Sequence, residues 1–278
     1  MSGHSKWAKI KRAKGATDAK RGALFTKLGN QITLAAKSGG GDPSMNFVLR
    51  LAMDKAKEAN MPKENVQRSV DRGLGTGKDA VTFENAAYEA LYGGDIMMII
   101  DTLTDNKNRT VADLKKIIES SGGTLGAINS VSWQFDEKGR VNMYLAKVVP
   151  SEKYGAPAKL VRVDESTKDE ITLDLLDISG VTDVVDTNFE FAGTDELVND
   201  GNSEYLGFEV YTDKANLNIV YKAIEAKGYK VESVEIVQVP KQTIKITDEN
   251  RITKFENMLG NLEESDDVQN VWSNVEGY

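Results

Sequence analysis

The chain has 278 residues, 40% of them apolar and 28% charged, with a formal net charge of −8; this is the balance of a soluble globular protein with room for two or three domains. It contains no cysteine, which excludes disulfides, thiolate metal sites and cysteine catalysis and fits a reducing, cytoplasmic setting. No run approaches the roughly 18–20 apolar residues of a membrane span, and no apolar segment follows the basic N-terminus, so neither a membrane partner nor a secretory signal is expected.

The charge is unevenly spread. Residues 1–37 hold nine Lys/Arg and one acidic residue, Asp18. Residues 1–78 hold sixteen basic against six acidic residues, a net of +10, which leaves −18 for residues 79–278. A basic end on an acidic body points to a polyanionic partner, and a solvated charged tail is the plainer alternative. Trp7 and Phe25 lie among the cations, where an aromatic ring can stack on a base or pack beneath a phosphate-binding side chain. Lys6, Trp7, Lys9, Lys11, Arg12, Lys14, Lys20, Arg21 and Lys27 are therefore the candidate nucleic-acid contacts. Residues 1–17 are too rich in charged and small side chains to order alone, and are expected to be disordered without a partner.

Apolar spacing near 3.6 predicts a helix over 18–38 through Leu24, Phe25, Leu28, Ile32, Leu34 and Ala35, stopped by the glycines before Pro43. Asn46 can cap a second helix, Phe47–Ala59, and Pro62 opens a third that ends at Gly73. These three make a small helical bundle. The stretch Gly73–Asp79 imitates a phosphate loop but lacks its spacing, its Ser/Thr and its preceding strand, so it reads as a linker. From residue 83 the period changes. Strands are expected over 86–90 and 96–100. A helix capped by Thr110 with Asp113 follows, and then an alternating strand, Ser130–Phe135. Residues 140–239 read strand, helix, strand, strand, helix, strand, the ferredoxin-like order. A strand at 243–246, a helix at 252–262 and a short strand near 268–272 close the chain. Segments 150–168 and 193–205 read as an added loop or β-excursion and an acidic turn.

Several motifs carry a family resemblance. Gly3-His4-Ser5-Lys6-Trp7 with Ile10-Lys11 comes first, then Asp18-Ala19-Lys20-Arg21-Gly22 with Phe25-Thr26-Lys27-Leu28, then Gly39-Gly40-Gly41-Asp42-Pro43. Together they resemble the start of the YebC/PmpR family, which includes bacterial proteins described as transcriptional regulators and the mitochondrial translational activator of cytochrome c oxidase. The likeness continues at Asn46, Leu49, Arg50, Lys55, Ala56, Asn60–Lys63, Arg68 and Arg72–Gly75. Leu103-Thr104-Asp105-Asn106 with Asn108-Arg109-Thr110 matches a further motif residue for residue. The sequence departs from the family form at Leu91–Asp95 and Glu119–Ser121. The resemblance implies an α+β protein: a basic helical domain (1–78), an α+β domain (79–137 plus 241–278) and a ferredoxin-like domain (138–240) inserted in it.

Little in the sequence suggests catalysis. His4 is the single histidine, with no fixed carboxylate or nucleophile near it in sequence, and no clustered metal-ligand pattern occurs. Glu263-Glu264 and Asp266-Asp267 read as a solvated acidic face. No enzyme activity, cofactor, metal or small-molecule substrate is expected. Asn106, Lys107 and Arg109 surround a helix N-terminus, which favours phosphate or another partner contact, although the same residues serve equally as a plain strand-to-helix turn. The leading reading is a DNA-binding regulator of transcription. A ribosome-associated factor that binds ribosomal or transfer RNA is the alternative, and a protein-interaction module without nucleic acid is the second.

Overall fold

A computed structural model describes residues 18–76, 83–149, 159–190 and 204–278. The expectations for residues 1–17, for the linker beyond Thr76 and for residues 150–158 and 193–203 fall outside the described residues. Three helices come first: α1 (Asp18–Gly39), α2 (Phe47–Glu58) and α3 (Lys63–Gly73). Leu28, Ile32, Ala35 and Ala36 of α1 meet Leu49, Ala52 and Ala56 of α2 and Val70 of α3 in one core. Ile32 and Leu49 are fully buried, each contributing about 1.5–3 kcal/mol relative to exposure. The expected Asn46 cap is present. Its side chain accepts from Leu49 N–H and donates to the carbonyls of Ala35 and Gly40, so the cap also ties α2 to the end of α1. Small residues let α1 and α3 approach closely. A Cβ on Gly73 would stand 2.3 Å from the Thr33 carbonyl oxygen, and the Thr33 hydroxyl reaches the Ser69 carbonyl.

The remaining elements are β1 (Glu84–Tyr92), β2 (Ile96–Thr104), α4 (Lys107–Ser120), β3 (Gly123–Leu125), β4 (Phe135–Val149), β5 (Lys159–Arg162), α5 (Lys168–Leu176), β6 (Val181–Glu190), β7 (Glu204–Asp213), α6 (Leu217–Ala226), β8 (Tyr229–Pro240), α7 (Glu249–Glu264) and β9 (Val268–Ser273). They form two antiparallel sheets. The first has the order β3-β1-β2-β9. Ile96, Met98 and Ile100 of β2 are fully buried, as are Leu114 and Ile118 of α4 and Phe255 and Met258 of α7. Tyr92, paired with Ile96, has its ring 5.9 Å from Phe255, which places α7 over this face. The alternate residues Met97, Ile99 and Leu91 pack instead against Val131 and Phe135. The strict period of two lets one strand serve both layers.

In the second sheet β4 is the hub. It pairs β7 through Lys138–Tyr144 and β5 through Ala146–Val149, β6 lies beyond β7, and β8 also pairs with β4. Val141 pairs Val210 and Met143 pairs Phe208; all four are fully buried, as are Leu175 of α5 and Val220 and Ile224 of α6, and Ile171 of α5 is buried too. Residues 137–238 form one compact unit, and residues 10–136 with 239–278 form the other.

Three local expectations are corrected. Ser130–Phe135 is not a strand: residues 132–134 form a 3-10 turn and β4 begins at Phe135. The N-cap of α4 is Asn106, whose side chain accepts from Arg109 N–H; Thr110 lies inside the helix, one turn later. Thr243–Ile246 forms no strand beyond an isolated bridge between Ile244 and Val275.

Candidate functional site

Of the proposed N-terminal contacts, Lys6, Trp7, Lys9, Lys11, Arg12 and Lys14 lie outside the described residues. Lys20 and Arg21 belong to the first turns of α1. Lys27 is held: its Nζ donates to the backbone carbonyl of Glu263. That carbonyl is in the last turn of α7, where the helix dipole favours a cation. One turn further along α1, Gln31 Nε2 donates to Gln269 Oε1 at 3.0 Å. Helix α1 therefore runs from the basic N-terminal segment to an anchor on the C-terminal end of α7.

The turn Leu103–Thr110 converges on Asp267. Thr110 Oγ1 donates to its carboxylate at 2.8 Å and Thr104 Oγ1 at 3.2 Å. Arg109 Nη2 donates to both carboxylate oxygens, at 3.0 and 3.1 Å, and to Asp105 at 2.8 Å. Leu103 N–H donates to the Asp267 carbonyl. Asp267 is thus not part of a solvated acidic face; its side chain is 13% exposed, and it binds β2 and α4 to the chain just before β9. Lys107 pairs with Glu84. The hydrogen bond and charge of Glu84 raise the Lys107 ammonium pKa, while the same pair lowers that of the Glu84 carboxyl. Bonds from Asp267 and then Asp105 likewise raise the Arg109 guanidinium. Asn106, Lys107 and Arg109 are each engaged by groups of the chain itself.

The structure brings forward a residue that the sequence did not single out. Glu89 on β1 lies on the face of the first sheet that meets Val131, because it pairs with Ile99. Its carboxylate accepts the backbone N–H groups of Val131 (2.5 Å), Asn129 (2.7 Å) and Ser132 (2.9 Å). Burial pushes the Glu89 pKa up, but the three backbone donors together outweigh it and hold the group below its ordinary value. A depressed carboxyl contributes stability in full above its unfolded pKa, and loses it as pH falls through the folded value. The loop 126–134 is therefore expected to loosen below about pH 4.5, the ordinary value. Glu89→Gln should remove that acid-dependent step. Hydrogen exchange at the Val131 and Ser132 amides between pH 3 and pH 6 checks this, and protection unchanged across that range would refute it.

Among the described residues, no helix is long and apolar enough to cross a membrane, and no group of three His, Cys, Asp or Glu is placed to hold a metal ion. A cleft of about 640 Å³ runs between α4 and the end of α7, lined by Arg109, Asp113, Lys116, Glu264, Asp266 and Asp267 among others. It is polar and of mixed charge.

The comparisons with known proteins agree along the whole chain. Residues 5–76 match the TACO1/YebC protein N-terminal domain, and residues 83–275 match the TACO1/YebC second and third domain. The chain is 40% identical to a probable transcriptional regulatory protein of Caldanaerobacter subterraneus over 99% of this chain and 98% of the relative. It is 41% identical to another so named in Chlorobaculum tepidum, over 99% and 95%. Among solved structures it resembles a conserved hypothetical protein of Aquifex aeolicus, with a TM-score of 0.74 and 32% identity over 98% of this chain and 97% of that one. The chain belongs to the TACO1/YebC family.

Proposed function

We propose that this protein is a cytoplasmic, non-enzymatic regulator of transcription that binds nucleic acid through its basic N-terminal domain. The carrying observation is the segregation of charge: +10 on residues 1–78 against −18 on the remainder. The names of the relatives, probable transcriptional regulatory proteins, support regulation of transcription. Lys6, Lys9, Lys11, Arg12, Lys14, Lys20 and Arg21 neutralise phosphates in this reading, and Trp7 stacks on or packs beside the nucleic acid. Lys27 contributes by fixing α1, and Asn106, Lys107 and Arg109 serve chiefly to order the turn before α4. We also read residues 138–240 as a ferredoxin-like domain inserted between the two halves of an α+β domain. The compact unit 137–238 and the strand neighbours β8-β4-β7-β6 support this.

The test is the salt dependence of binding to duplex DNA and to single-stranded RNA, read by fluorescence anisotropy. Each neutralised phosphate contributes about 0.7–0.9 to the slope of log affinity against log salt. Replacing Lys9, Lys11, Arg12 and Lys14 by Ala is expected to flatten the slope by about 3. An unchanged slope would remove the N-terminal segment from the interface. Binding of RNA well above duplex DNA at matched salt would move the reading from transcription to translation.

A further inference from the structure

Helix α5 buries Ile171 and Leu175 against the second sheet and turns two other leucines outward: Leu173 is 65% exposed and Leu176 is 43% exposed. Single exposed leucines are ordinary, but these two are three residues apart and so adjoin on the helix surface. The helix neighbours of Leu173 at i−4, i−3, i+3 and i+4 are Asp169, Glu170, Leu176 and Asp177. All three carboxylates are exposed. The outward face of α5 is therefore a leucine pair framed by acids at both ends, held on a helix whose backbone is already ordered.

The cations around this face are engaged elsewhere. Lys168 pairs with Asp186 of β6 at 2.7 Å, and Lys227, just past α6, pairs with Asp174 at 2.6 Å. Among the described residues, Asp169, Glu170 and Asp177 take part in no ion pair. The exposed Lys222 of α6 stands about 140° around its helix from Lys227, the residue that meets α5, and so turns away. Asp177 also lies at the C-terminal end of α5, where a carboxylate opposes the helix dipole. The stability of α5 accounts for neither the outward leucines nor this acid. Three fixed carboxylates repel a phosphate backbone or an anionic bilayer, and two leucines offer nothing to a small cation. An apolar groove flanked by Lys and Arg matches both features. We infer that the outward face of α5 docks a partner protein, with Leu173 and Leu176 entering such a groove and Asp169, Glu170 and Asp177 pairing with its flanking cations. This contact lies in the 137–238 unit and is separate from the nucleic-acid contact proposed for the N-terminal domain.

The experiment places a benzophenone amino acid, itself apolar, at position 173 of the full-length chain, crosslinks in living cells and identifies the adduct by mass spectrometry. The protein so identified is then purified and titrated against three forms of the chain. These are the wild type, the pair Leu173→Ala with Leu176→Ala, and the triple Asp169→Asn, Glu170→Gln and Asp177→Asn. The expected result is a protein adduct whose binding weakens at least about tenfold with the alanine pair. Binding to the wild type should fall between about 50 and 500 mM salt, and the triple variant should bind more weakly and lose most of that dependence. Nucleic-acid binding by both variants should match the wild type. Alanine favours the helix, and the urea midpoint reports whether each variant keeps its fold. If the alanine pair shifts that midpoint, the triple, which alters only exposed side chains, decides. An adduct to nucleic acid, an adduct to a second copy of this chain, or no adduct would each overturn the inference. So would an identified partner that binds the triple variant as tightly as the wild type, or whose binding ignores salt.

Discussion

Replacing Arg140 by Met is expected to destabilise the 137–238 unit by about 3–5 kcal/mol. Arg140 on β4 stands between Glu209 on β7 and Glu235 on β8, with Nη1 3.3 Å from the first carboxylate and Nη2 3.2 Å from the second. Glu209 is fully buried and also accepts the Tyr211 hydroxyl at 2.7 Å. Burial alone would lower the Arg140 pKa, but the two carboxylates and Tyr211 overcome it and push it upward, so the cation is fixed in place. Met keeps most of the side-chain volume and removes the charge, which isolates the effect of stranding Glu209 away from water. The urea midpoint of this unit, with hydrogen exchange along β7, is the measurement. Adding Glu209→Gln and Glu235→Gln to Arg140→Met should recover much of the loss, because the stranded charge is then gone. If Arg140→Met alone shifts stability by less than about 0.5 kcal/mol, within the range of an ordinary surface change, the network does not have the structural weight assigned to it.

Asp267→Ala is expected to cost the other unit about 2–3 kcal/mol, since the buried Thr104 hydroxyl would lose its carboxylate acceptor, the Thr110 hydroxyl would keep only the Asn106 carbonyl, and Arg109 would lose its bonds to the carboxylate. Both threonines are about 1% exposed. Asp267→Asn keeps one acceptor oxygen and should cost about 1 kcal/mol less, so the order wild type, Asn, Ala is the readable signature. Exchange should accelerate first in the opening turn of α4 and at β9. If Asp267→Ala is as stable as the wild type, the convergence on this carboxylate is incidental. If Asn and Ala are equal, the hydroxyl acceptor is not what matters.

The parts of the fold that were legible in the sequence were those set by local period and punctuation. The glycines before Pro43, the Asn46 cap and the apolar run Ile96–Ile100 each fix an element by its own residues. What was not legible depends on partners distant in sequence. Val131 and Trp133 alternate as a strand would, yet Glu89 captures the N–H groups of Val131 and Ser132, and the Trp133 ring turns outward. Thr110 looked like a cap because Thr followed by Asp three residues later imitates one; its hydroxyl is instead drawn to Asp267, more than 150 residues away. The same distance hid the role of Asp267, which as one of four nearby acidic residues gave no sign of burial. At the candidate site, charge segregation marked the N-terminal domain from composition alone. The docking of Lys27 on Glu263 had no sequence signal beyond residue type.

The pairing of β2 with β9 sets an order on how the protein comes into being. Met98 faces Ser273 and Thr102 faces Val268, so one edge of the first sheet is completed by residues synthesised long after β2, with the whole of 137–238 between them. At about 5–20 residues per second, β2 waits on the order of ten seconds or more for its partner. During that interval all of 137–238 emerges, and it has its own core with which to fold. Until β9 arrives, the ribosome-bound chain carries a long apolar strand with an unpaired edge, the kind of template on which nascent chains associate. Deleting Val268–Ser273 would make that transient state permanent, so β9 acts as the closure of the first sheet as well as its edge.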